Sequence, residues 1–209
     1  MVLGNLLDGL KIWVEGLISS AGYAGLYLVM FLENIFPPIP SEVILPLAGS
    51  LSLSGRFSIS LITIVGMSGS LTGALVFYGL GKWLGEEALR RFIDKYGKFT
   101  LLTVEDFDRS KAWFAKYDDW VIFFSRMIPV VRSLISIPAG VSSMNLFQFC
   151  VFTILGTSLW SFALSYAGRL LGERWSLITQ WINTYQNIVL AIVLLAAVGF
   201  AGYRLKKKP

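Results

Sequence analysis

Long apolar segments alternate along the chain with short segments in which charges and prolines interrupt the apolar pattern. Residues 57 to 80 and 145 to 168 contain no Asp, Glu, Lys or Arg. Residues 16 to 36 are uncharged until Glu33, and residues 187 to 203 form a further, slightly short apolar run. Because about 20 helical residues cross a hydrocarbon core of about 30 Å, the pattern predicts about four transmembrane helices.

Other segments are amphipathic. Between Leu3 and Ile18 the apolar residues recur at the helical period, which predicts an interfacial helix that runs into the first span. Residues 83 to 96 and 107 to 117 carry similar stripes, the second after an imperfect capping box at Thr103 and Asp106. We interpret these stripes as packing surfaces and assign them no chemistry.

Two segments, residues 37 to 55 and 120 to 142, are apolar, charged and rich in prolines at once. Proline breaks a helix, and irregular backbone at membrane depth must be buried in protein or line a wet cavity. Each segment therefore predicts a re-entrant hairpin with two short arms and no continuous helix. The predicted hairpin breakers are Pro37, Pro38, Pro40, Pro46 and Gly49 in the first segment, and Pro129, Pro138 and Gly140 in the second.

The basic residues flank apolar spans. We therefore interpret the net charge of +5 as a sign of membrane topology and not of nucleic-acid binding. Eight Lys or Arg lie between Lys82 and Lys116, and four lie between Arg204 and Lys208. The positive-inside rule makes both regions and both termini cytoplasmic. The two hairpins then enter the membrane from opposite faces.

A weak internal repeat supports the pairing of the hairpins. Residues 81 to 86 resemble residues 168 to 173 at a shift of 87, and a Pro-Ala-Gly-like turn precedes each at Pro46 and Pro138. We predict one all-α polytopic membrane domain over residues 1–209 with an inverted repeat. Its parts are an amphipathic helix (1–20), a first repeat (21–86) with hairpin 37–55, cytoplasmic helices (87–119), a second repeat (120–173) with hairpin 120–142, and a last span (186–204).

Four charges in or next to the broken segments require explanation: Glu33, Glu42, Arg126 and Arg132. They could form static ion pairs or reach the interface, but ionisable residues within a membrane are functional by default. Two arginines on a broken hairpin suit a bidentate grip on phosphate, and a neighbouring carboxylate would make that grip depend on protonation. Arg126 and Arg132 are therefore the predicted phosphate-binding residues, and Glu33 and Glu42 the predicted proton-coupling acids.

These segments resemble the DedA family of bacterial membrane proteins, within the VTT-domain superfamily. The resemblance rests on Glu33 to Glu42, on Ala48-Gly49 and Gly81-Lys82, and on Phe124 to Arg132 followed by Pro138-Ala139-Gly140 and Met144. It implies a flippase of the cell membrane, linked to the proton motive force, that returns undecaprenyl phosphate across the bilayer for cell-wall synthesis. The chain departs from the family at Ala74, where many members carry aspartate, and at Lys82, where they carry arginine.

Other functions stay open at this point. A phospholipid flippase or scramblase, for example for phosphatidylethanolamine, a small-ion or drug/proton antiporter, and an assembly protein are the alternatives. A membrane phosphatase would ordinarily use histidine, and this chain has none. We expect no catalytic residue, cofactor or metal. The expected partners are an anionic lipid substrate and the bilayer. The GxxxG pair Gly69 and Gly73 predicts close approach of another span, within the chain or in a homodimer.

Overall fold

The computed structural model describes residues 2–36, 41–100, 104–129 and 131–172, together with the single positions Thr184, Ile188, Leu195 and Gly199. The regular structure of the described ranges is helical, as predicted. The helices are α1 (Val2–Ile35), α2 (Ser41–Leu51), α3 (Ile59–Thr100), α4 (Val104–Ser125), α5 (Val131–Leu134), α6 (Ser136–Val141) and α7 (Leu146–Leu171), with a 3₁₀ turn at Ser52–Ser54.

Three helical segments are long and apolar enough to cross a membrane: Ile12–Ile35, Ile59–Ala88 and Leu146–Leu171. They confirm three of the predicted spans. The fourth predicted span, residues 186 to 204, lies outside the described residues apart from its single positions. Pro37, Pro38 and Pro40 also lie outside them, as does Thr103.

Glycines bend the two longest helices. Gly22 divides α1 with φ 61°, and Gly85 divides α3 with φ 68°. This left-handed region strains a residue with a Cβ, so both bends favour glycine for its backbone freedom. Each bend separates an amphipathic stretch from an apolar one, close to where the sequence pattern changes.

The short helices pack across the molecule on the long helix of the other half. α2 lies against α7, where a Cβ at Gly49 would overlap the carbonyl of Ser165 and one at Gly168 would overlap the carbonyl of Pro46. α6 lies against α3 in the same way, with Gly140 on the carbonyl of Tyr78 and Gly81 on that of Ile137. At each crossing, two glycines let the backbones approach closely.

The two crossings correspond residue by residue. A shift of 91 carries Pro46 and Gly49 to Ile137 and Gly140, and a shift of 87 carries Tyr78 and Gly81 to Ser165 and Gly168. The weak sequence repeat therefore reappears as a repeat of helix contacts.

Two proline predictions need correction. Pro46 and Gly49 do not break a helix, because α2 runs through both from Ser41 to Leu51. Pro46 has no backbone N–H, so α2 lacks one internal hydrogen bond at this position. In a membrane protein, neighbouring helices can compensate for such a loss. Pro138 and Gly140 likewise lie within α6, with Pro138 in its first turn, where proline is readily accommodated.

Pro129 lies where the second segment is interrupted. α4 ends at Ser125, and turn hydrogen bonds from Met127 to Phe124 and from Ile128 to Ser125 carry the chain away from the helix. Helical structure begins again at α5 and continues in α6. Arg126 is thus the first residue after the long helix, and Arg132 belongs to the short one.

The GxxxG pair packs within the chain. A Cβ at Gly69 would meet the carbonyl of Tyr27 and the side chain of Met30, and a Cβ at Gly73 would meet Asn34. The helix that approaches these glycines is therefore α1. This contact carries the end of α1, with Glu33, towards the middle of α3.

Candidate functional site

The four charged residues singled out in the sequence are all buried. Glu33, Glu42, Arg126 and Arg132 expose only 4%, 3%, 2% and 3% of their surface. They come from four places: the end of α1, the first turn of α2, the turn after α4, and α5. Burial of this many charges costs several kcal/mol per ion unless partners compensate, so their contacts decide what the site can do.

Arg132 is the residue that joins the helices at this site. Its Nη2 forms an ion pair with Glu33 Oε2 and donates to Ser70 Oγ at 3.3 Å, and its Nη1 donates to Ser41 Oγ at 2.7 Å. These contacts connect α5 with α1, α2 and α3. The guanidinium of Arg132 is neutralised by a carboxylate and is held on several sides.

Arg126 lies beside Arg132 but in different surroundings. Its Nη1 donates to the backbone carbonyl of Arg132, and its Nη2 donates to Ser136 Oγ at 3.3 Å and to Thr153 Oγ1 at 3.0 Å. Its guanidinium carbon lies 5.4 Å from the ring centroid of Phe149, within the range of a cation–π contact.

The charge of Arg126 has no carboxylate partner among the described residues. The ion pairs in that part of the chain join Arg90, Arg91 and Arg132 to carboxylates, and none joins Arg126. Its Nε also lacks a hydrogen-bond partner there. Arg126 is therefore a buried cation with a vacant donor, and its hydrogen-bond partners among the described residues are neutral.

Other polar atoms near the four charged residues also lack hydrogen-bond partners. Glu42 Oε1, Asn34 Oδ1 and Ser133 Oγ are buried and have no hydrogen-bond partner among the described residues. Buried polar atoms are usually paired, so each such atom is able to bind a group from outside the described residues. Glu33 differs from Glu42 in that its carboxylate is engaged by Arg132.

The prediction that the four charged residues are buried is confirmed. The neutral groups around them were not predicted. Ser41, Ser70, Ser136 and Thr153 hold the guanidinium groups. A lone serine or threonine in an apolar span usually bonds its own helix, so it carries no signal by itself. The spacing of hydroxyls along α7 is the one pattern that could have marked Thr153.

The described residues contain no group of three or more His, Cys, Asp or Glu side chains that could hold a metal ion. Cys150 is half-buried on α7 and is not disulfide-bonded. The arrangement is thus one of arginines, carboxylates and hydroxyls, which suits binding of an anion and exchange of protons.

The chain matches known proteins over most of its length. The model of the VTT domain matches residues 39–170. The chain is 39% identical to "Undecaprenyl phosphate transporter A" of Staphylococcus aureus over 88% of this chain and 91% of that protein. The protein of that name in Bacillus subtilis is 34% identical over 93% of each chain.

A further relative carries a different name. The "Alkaline phosphatase-like protein" of Lactococcus lactis subsp. cremoris is 40% identical over 84% of this chain and 83% of that protein. No solved structure matches the chain. Since the domain match includes Glu42, Arg126 and Arg132, and the relatives align over nearly their whole length, this chain is a member of the VTT domain family.

Proposed function

We propose that this protein is a flippase that carries undecaprenyl phosphate across the cell membrane, with the phosphate held at Arg126 and Arg132. The observation that carries the proposal is the buried, carboxylate-free guanidinium of Arg126 with its vacant Nε. A phosphate monoester supplies the negative charge and the acceptor oxygens that this guanidinium lacks. The names of the relatives from Staphylococcus aureus and Bacillus subtilis favour this lipid over others.

The ion pair of Arg132 with Glu33 supplies a means of proton coupling. A phosphate that reaches Arg132 competes with the Glu33 carboxylate for the same guanidinium. Protonation of Glu33 removes that competitor, so a proton and a phosphate bind together more readily than either binds alone. Release of the proton on the other side restores the ion pair and expels the phosphate.

The proposed topology places both termini in the cytoplasm and opens the two short segments towards opposite faces. The repeated glycine crossings of α2 on α7 and α6 on α3 support an inverted repeat, as does the asymmetry of basic residues. The phosphate then sits near the midplane between the halves, while the isoprenoid tail stays in the surrounding lipid.

The test is translocation of fluorescently labelled undecaprenyl phosphate in proteoliposomes that contain the purified protein. Wild type is expected to move the label between leaflets faster than protein-free vesicles, and Arg126→Ala is expected to abolish the gain. Arg56→Ala, which removes an exposed arginine, serves as the matched control and should transport normally.

Parallel measurements on the same vesicles separate the alternatives. Faster movement of labelled phosphatidylethanolamine than of undecaprenyl phosphate would identify a phospholipid flippase instead. Flux of a soluble ion without lipid movement would identify an antiporter. Release of inorganic phosphate from the lipid would support the activity suggested by the Lactococcus relative's name and would contradict the proposal.

A further inference from the structure

Four hydroxyl side chains follow one another along α7 at intervals of four residues. Thr153, Thr157, Ser161 and Ser165 form this hydroxyl stripe, and each exposes 3% of its surface or less. The helix rises about 1.5 Å per residue, so the stripe covers about 18 Å of a hydrocarbon core of about 30 Å. Apolar residues would fill the same buried positions at lower cost.

One end of the hydroxyl stripe meets Arg126. Thr153 Oγ1 accepts a hydrogen bond of 3.0 Å from Arg126 Nη2, and Arg126 Nε remains without a partner among the described residues. Further along, Ser161 Oγ and Ser165 Oγ are buried and also lack partners in that part of the chain. The stripe thus starts at a cation with a vacant donor and continues into unused hydroxyl groups.

The internal repeat shows that packing does not require a hydroxyl at every position of the stripe. The shift of 87 that relates the two glycine crossings carries Ser161 to Ala74 on α3, and both residues are completely buried. Thr153 corresponds to Gly66, which has no side chain, whereas Thr157 and Ser165 correspond to Ser70 and Tyr78, which also carry hydroxyls. Alanine therefore fills the equivalent position in the other half, and only the α7 face is lined by hydroxyls along its whole length.

We infer that the hydroxyl stripe binds the phosphate group in transit and conducts it from Arg126 across the membrane interior. The inference rests on the proposed function and adds the route to it. A phosphate monoester needs several donors at once, and successive hydroxyls about 6 Å apart allow it to gain one donor before it leaves another. Gly49 packs on the Ser165 carbonyl, so α2 covers the far end of the stripe in this structure.

Thiol labelling tests whether the stripe is a route for an anion. In a Cys150→Ala background, Ser161→Cys and Ala74→Cys place the same thiol at repeat-related positions. A water-soluble, membrane-impermeant thiol reagent is expected to modify the Ser161→Cys protein at least about ten-fold faster. Equal rates for the two variants would overturn the inference.

Competition identifies the source of the phosphate. Undecaprenyl phosphate in the vesicles should slow the labelling of Ser161→Cys, whereas inorganic phosphate should leave the rate unchanged. Protection by inorganic phosphate alone would overturn the assignment to a lipid head group. These labelling results do not depend on a transport signal, so they stand apart from a failure of the proposed function.

Transport kinetics give the second test. The double variant Ser161→Ala/Ser165→Ala is expected to lower the rate of undecaprenyl phosphate translocation about ten-fold, because donors to a charged group are lost. Its affinity for the lipid in detergent should not change, since Arg126 is retained. The Ala74→Ser variant is the matched control and should transport as wild type does.

The kinetic test distinguishes a failure of the hydroxyl stripe from a failure of the proposed function. A double variant that translocates lipid at the wild-type rate, with an unchanged melting temperature, would overturn the role of the stripe. Absence of translocation by the wild-type protein would instead refute the proposed function.

Discussion

The buried ion pair of Arg132 with Glu33 predicts a large and non-additive effect on stability. Arg132→Gln leaves the Glu33 carboxylate buried without its counter-charge and removes the donors to Ser41 and Ser70. Removal of one partner of a buried pair costs about 3–5 kcal/mol. Replacement of both partners, in Glu33→Gln/Arg132→Gln, leaves neither charge of this pair without its counter-charge, so the double variant should be more stable than Arg132→Gln alone.

The assay is thermal unfolding of the detergent-purified protein at pH 8. For a chain of this length, 1 kcal/mol corresponds to about 2–4 °C in melting temperature, so Arg132→Gln should lower it by about 6–20 °C. The double-mutant cycle should give a coupling energy of at least about 2 kcal/mol between the two positions. The wild type and all three variants are measured in the same detergent.

The exposed pair of Arg91 with Glu87 provides the control cycle. Their closest nitrogen–oxygen distance is 3.8 Å, and their side chains are 78% and 92% exposed. Solvent screens such a pair, so Arg91→Gln and Glu87→Gln should show no measurable coupling. If the losses at Glu33 and Arg132 simply add, or if the control cycle couples as strongly, the account of Arg132 as a charge-compensated junction is refuted.

Three further predictions concern the arginine grip, the helix crossings and the acids. Arg126→Lys should reduce lipid translocation in proteoliposomes about 10- to 100-fold, nearly as much as Arg126→Ala, because lysine lacks the planar fork; wild-type activity of the lysine variant would disprove a bidentate grip. Gly49→Ala should cost about 1–3 kcal/mol in thermal unfolding because its Cβ overlaps a carbonyl of α7, whereas Gly79→Ala, which meets open space, should be neutral or slightly stabilising. Translocation should rise as pH falls in wild type, and Glu33→Gln and Glu42→Gln should each flatten that profile; two unchanged profiles would remove the acids from the mechanism.

The membrane spans could be predicted because their signal is local. Charge-free residues 57 to 80 lie almost entirely within the observed span Ile59–Ala88, and residues 145 to 168 coincide closely with α7. A helix that spans lipid must be apolar over about 20 residues regardless of its neighbours. Such a requirement is visible in any sequence.

The interior of Ser41–Leu51 could not be predicted on the same basis. Pro46 and Gly49 argue against a helix when each is considered alone, yet both lie in α2. Their presence there depends on α7, which approaches so closely that Gly49 and Gly168 have no room for a Cβ. Contacts between distant segments, and not local propensity, decide this helix.

The site was predicted at the level of its charges but not of its pairing. Two acids and two arginines in or next to broken apolar segments are predicted to be buried, and all four are. The position of α5 relative to α1 decides which arginine forms the ion pair with Glu33. That position cannot be predicted from the sequence. Glu33 pairs with Arg132, and Arg126 is left to neutral partners.

The cross-wise glycine contacts also constrain how the protein is made. The partner of α2 is α7, and roughly 120 residues separate Gly49 from the carbonyl of Ser165 that it contacts. At about 5–20 residues per second, a ribosome needs on the order of 10 s to supply that partner after Gly49 is made. During this interval α2 has no α7 to pack against. The contact between α2 and α7 therefore forms only late in biosynthesis.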